Sequence, residues 1–71
     1  MKKKLLAYIK ASLSAADYER CLQCWERRQP IPYAIADCIA DLCEEFCEEN
    51  DKPEGWWLNH FEDAEEVFRA M

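Results

Sequence analysis

Glycine occurs once in these 71 residues, proline three times and histidine once. One glycine leaves no glycine-rich loop to cradle a phosphate and no glycine-rich turn to build an oxyanion hole. The single histidine, His60, stands between Asn59 and Phe61, and no serine or cysteine is set beside it as the partner of a nucleophilic dyad. No apolar run exceeds the five residues Leu5–Ile9. A membrane span needs roughly 20 such residues and a secretory core about 7–15, so neither is expected. The expectation is therefore a non-enzymatic protein, with no cofactor called for, in a reducing cytoplasm where its five cysteines stay free.

What is present is helix-forming. Hydrophobic residues make up 51% of the chain, which is far from a disordered composition, and alanine, glutamate and leucine are plentiful. Leu5, Leu6, Ile9 and Leu13 recur at helical spacing, with Lys2, Lys3, Lys4 and Lys10 off that stripe. Ser14 is placed to cap the next helix through the N–H of Asp17, with Leu13 and Tyr18 as the flanking hydrophobic staple. Tyr18, Cys21, Leu22 and Trp25 then form its stripe, and Pro30 stops it. In "PIPYAIADCIADLCEEFCEEN", Pro32 suits the first helical position, and Ile35, Ala36, Ile39, Leu42, Cys43 and Phe46 line one face. Asn50 is the expected left-handed terminator, and Lys52-Pro53-Glu54-Gly55 reads as a type I turn. Trp57, Phe61, Ala64, Phe68 and Met71 follow intervals of 4, 3, 4 and 3, a helical seam whose start Asn59 or Asp63 can cap. The predicted fold is all-α: one domain over residues 1–71, a bundle of three to four helices at about 3–12, 15–28, 32–49 and 57–70. A chain this short buries only about 60–65% of its unfolded surface, so completion by a homodimer is in keeping with its size.

The cysteines raise the question of a metal. Cys21, Cys24, Cys43 and Cys47 follow C-x2-C-x18-C-x3-C, close to a zinc pattern. Zinc-binding pairs usually sit on tight turns rich in glycine, proline or small polar residues, and "ERCLQCWERR" and "DLCEEFCEE" contain none. Cys21 and Cys43 fall on the apolar stripes, Cys24 and Cys47 on their flanks. Packing as small hydrophobes is the simpler reading, and a metal-binding helical protein is the alternative.

Charge is divided along the chain. Residues 1–30 carry seven cations against three carboxylates, and residues 31–71 two cations against twelve. Asp37, Asp41, Glu44, Glu45 and Glu48 occupy the polar face of the third helix. A helix with these acids and no Lys or Arg would be repelled by phosphate, which excludes direct nucleic-acid binding through a helix-turn-helix. A basic protein surface fits better, and mimicry of nucleic-acid charge to inhibit a nucleic-acid enzyme is a second possibility. Trp56 and Trp57 point about 100° apart on a helix, so one core does not readily enclose both. Trp57 joins the seam and Trp56 is left to cap the core or anchor a partner. The candidate interaction residues are thus Trp56, Asp37, Asp41, Glu44, Glu45 and Glu48.

The stretch "IADLCEEFCEENDKPEGWW", Ile39 to Trp57, resembles small uncharacterised proteins carried on conjugative or other mobile elements of clostridia-like gut bacteria. The likeness rests on "CEEFC" followed by "PEGWW" and covers the C-terminal half. It implies a bacterial cytoplasmic accessory protein and brings no functional residues with it.

Overall fold

The computed structural model describes all residues 1–71. Four helices and no strand make up the chain: α1 (Lys2–Ser12), α2 (Ala15–Glu26), α3 (Tyr33–Glu49) and α4 (Ala64–Ala70), with a 3-10 turn at Trp56–Asn59. Ser14 caps α2 as its position requires, its hydroxyl accepting the Asp17 N–H at 3.2 Å.

The longest helix, α3, is the centre, and α1, α4 and the 3-10 turn all pack on it. Its stripe of Ile35, Ile39, Cys43, Phe46 and Cys47 is buried, meeting a core to which α1 contributes Leu5 and Ile9 and α4 contributes Ala64, Val67 and Phe68. The Tyr8 ring lies tilted on Phe46 with centroids 5.8 Å apart, fixing α1 against α3. Helix α2 joins the bundle through α4, with Tyr18 on Phe68 at 5.5 Å and Trp25 edge-on to the same ring at 6.1 Å. Every buried residue is apolar, and no buried side-chain nitrogen or oxygen lacks a partner.

Three expectations need correction, and a fourth, the seam that Asn59 or Asp63 can cap, is narrowed to the Asp63 cap. The seam residues Trp57, Phe61, Ala64 and Phe68 are buried, but not on one helix. The backbone breaks after Asn59 and restarts at Asp63, whose carboxylate accepts the Glu66 N–H at 2.9 Å. An N-cap aspartate offers the backbone a better arrangement there than a continuous turn. Helix α3 starts at Tyr33, with Pro32 as its cap residue at ψ 140. The left-handed residue after α3 is Asp51 (φ 56), not Asn50, which instead donates its side-chain amide to the Phe46 carbonyl at 2.8 Å. The turn lies one residue later than expected. Trp56 N–H reaches the Pro53 carbonyl at 3.0 Å, and Gly55 takes φ 77, ψ 6 at the third position, as a type II turn requires.

Helices α2 and α3 end alike. The Gln29 N–H bonds the Cys24 carbonyl at 2.8 Å and the Arg28 N–H that of Trp25 at 2.9 Å. The Lys52 N–H bonds Cys47 at 2.8 Å and Asp51 that of Glu48 at 3.4 Å. Both are Schellman motifs with a non-glycine residue, Arg28 or Asp51, in the left-handed position.

Candidate interaction surface

Asp37, Asp41, Glu45 and Glu48 all stand exposed on α3, at spacings of four, four and three that place them on one line. Of the four, only Glu45 has a protein partner, accepting the Tyr8 hydroxyl at 3.2 Å. Desolvation of the phenol, then the nearby charge of Glu49 and the bond to Glu45, hold the Tyr8 pKa above its usual value. The sole ion pair of the molecule is Arg69–Glu65 on α4. The basic residues of the first half therefore do not neutralise the acids of the second by direct contact. Like charges at i, i+4 cost a helix about 0.2–0.5 kcal/mol for each pair, so the line persists at a small cost in stability.

Glu44 has a different role from its neighbours. Its carboxylate is half-buried and accepts the Gly55 N–H at 2.9 and 3.2 Å and the Trp57 indole N–H at 2.7 Å. It pins the type II turn to α3 and satisfies the polar atom of a buried tryptophan. The sequence pattern grouped it with the solvated acids because position alone does not show which turn folds back over a helix.

Trp56 is half-buried against the core, with the Lys52 ammonium 5.3 Å above its ring and the His60 imidazole edge-on at 4.6 Å. This arrangement uses His60 as an aromatic neighbour of Trp56 at the surface.

The cysteines divide by burial. Cys21, Cys43 and Cys47 are enclosed, Cys24 is half-buried and Cys38 is exposed. Cys47, expected on a flank, is in the core. No three Cys, His, Asp or Glu side chains are grouped to hold a metal ion, so the four thiols of the zinc-like spacing do not converge. Burial pushes the Cys21 thiol up to about 11, with further contributions from Cys24, Asp17 and Glu65. Burial followed by Cys47 and Glu44 pushes Cys43 up to about 12. Both are therefore neutral thiols at neutral pH, as buried cysteines packed among apolar side chains are.

A second surface has no counterpart in the sequence reading. Trp25, expected on the buried stripe of α2, is 49% exposed because the helix ends one residue later and nothing covers its outer edge. With Arg28, Ile31, Phe68 and the Glu65–Arg69 pair it borders a groove of about 350 Å³. Two residues beyond Ile31, Tyr33 projects with 84% of its surface free. The only signal for these positions in the sequence is that Trp25 and Tyr33 lie at helix ends, where a stripe runs out of covering elements.

No family model, no curated protein and no solved structure matches this chain. No helix is long and apolar enough to cross a membrane.

Proposed function

We infer that the chain is a non-enzymatic protein-interaction module that offers the outward face of α3 to a basic surface on another protein. One observation carries this reading: Asp37, Asp41, Glu45 and Glu48 form an exposed line that no Lys or Arg of the molecule pairs with, although nine cations are present. A rigid row of uncompensated carboxylates attracts a complementary surface and accelerates encounter with it. Trp56 lies off this line, half-buried between Lys52 and His60, and so contributes more to the shape of the adjoining turn than to contact.

The test compares the wild-type chain with the Asp41→Asn, Glu45→Gln, Glu48→Gln variant as immobilised baits. The expected result is a bacterial protein held by the wild type, released as salt rises and lost by the variant, with both baits melting alike. Equal retention by the two baits would show that the acidic line is only a solvated face. Competition between the captured protein's nucleic acid and the bait would identify the charge-mimicking form of the same interaction.

A further inference from the structure

The groove beside Trp25 and the exposed Tyr33 belong to the same short region of the surface, Trp25 to Asp37. The groove is floored by Phe68 and Ile31, which are 3% and 9% exposed, and walled by the indole of Trp25. Arg28 lies on its rim with no ion pair, whereas the other rim cation, Arg69, is already held by Glu65. The feature that would fill such a site is an aromatic side chain with a carboxylate one turn away. Tyr33 and Asp37 have that spacing on α3, both exposed.

We propose that this region is a self-association surface, in which the Tyr33 ring of each copy enters the Trp25–Phe68 groove of the other and Asp37 pairs with Arg28 across the interface. Three observations favour a second copy over a foreign peptide. The knob and the groove are neighbours, so one two-fold axis between them satisfies both at once, as a closed isologous interface requires. Their charges are complementary: the unpaired cation belongs to the groove and the unpaired acid to the knob. A foreign peptide in the groove would leave Tyr33, the most exposed of the large hydrophobic residues, uncovered. The inference does not rest on the proposed partner of the acidic line, because Asp41, Glu45 and Glu48 remain free in such a dimer.

Sedimentation equilibrium on the purified chain tests this without any partner present. The expected mass rises with concentration from 8.4 kDa towards twice that value. Tyr33→Ala weakens association about tenfold or more, as loss of a central aromatic anchor does, while its circular dichroism, and its melting at concentrations where the wild type is monomeric, stay those of the wild type. Arg28→Asp and Asp37→Arg each weaken it, and the two together restore it, since the swap rebuilds the pair with its ends exchanged. A wild-type chain that stays at 8.4 kDa up to millimolar concentration overturns the proposal. So does a dimer that Tyr33→Ala leaves unchanged, or one for which the charge swap gives no rescue.

Discussion

Glu44 shows how one side chain changes role when a distant turn folds onto it. It holds two donors from the 53–57 segment, one of them on a tryptophan that is 5% exposed. Glu44→Ala leaves that indole N–H without an acceptor, and about 2–4 kcal/mol of stability is expected to be lost in urea unfolding. Glu44→Gln keeps one acceptor oxygen and is expected to cost about half as much. The thiols make a separate prediction. An ordinary thiol ionises near 9.0, whereas Cys21 and Cys43 hold their protons to about 11 and about 12. The native chain therefore binds more protons than the unfolded chain in that window. Their contribution to stability is full below about pH 9 and falls as pH rises through 11 and 12. Urea midpoints are expected to decline above about pH 9, and Cys21→Ala with Cys43→Ala is expected to flatten that decline even as it lowers the whole curve. Of the five thiols, the exposed Cys38 is expected to react first with a thiol reagent, and a rapid reaction of Cys43 would show that the core opens readily.

The helices differ in what ends them. Arg28 and Asp51 both occupy left-handed backbone at φ 56, which suits glycine better than any residue with a Cβ. Arg28→Gly is expected to stabilise the monomer by about 0.5–1 kcal/mol, read as a rise in melting temperature at low protein concentration. The same change removes the cation proposed to meet Asp37, so association is expected to weaken while folding improves. A residue that impairs folding slightly and assists binding would explain an arginine where glycine is the easier choice. Helix α4 has seven residues, too few to persist without its cap and its buried face. Asp63→Ala is expected to cost about 1 kcal/mol and to raise amide exchange in Ala64–Ala70 before the rest of the chain.

The molecule as a whole is arranged around α3. Its radius of gyration, 11.6 Å, is near the ~11 Å of a compact chain of this size, and its extents are 36 × 21 × 20 Å. Fifteen buried residues form a single cluster, so a defect at its centre affects every helix. Ile39→Ala is expected to cost about 2–5 kcal/mol out of a total near 4–10 kcal/mol, leaving a chain that is partly unfolded at room temperature by circular dichroism. Two surfaces remain without a covering element: the acidic line of α3 and the Trp25 groove with Tyr33. They share Asp37 but differ in character: the line is all carboxylate, whereas the groove is aromatic with charges of both signs at its rim.

The four amphipathic segments, the Ser14 cap and the core positions of α3 were legible in the amino-acid order, because helical periodicity and capping act over only a few residues. The seam from Trp57 to Phe68 was legible as buried and Asp63 as one of two caps for it, but the choice between them was not, since a 3-10 turn and a capped restart can present the same residues to a core as one helix. The fate of Glu44, the burial of Cys47, the failure of the zinc-like cysteines to meet and the exposure of Trp25 depend on which segments fold back over which. Those contacts join residues far apart in the chain. Local spacing placed each side chain on its helix; only the packing of helix on helix determined what faced it.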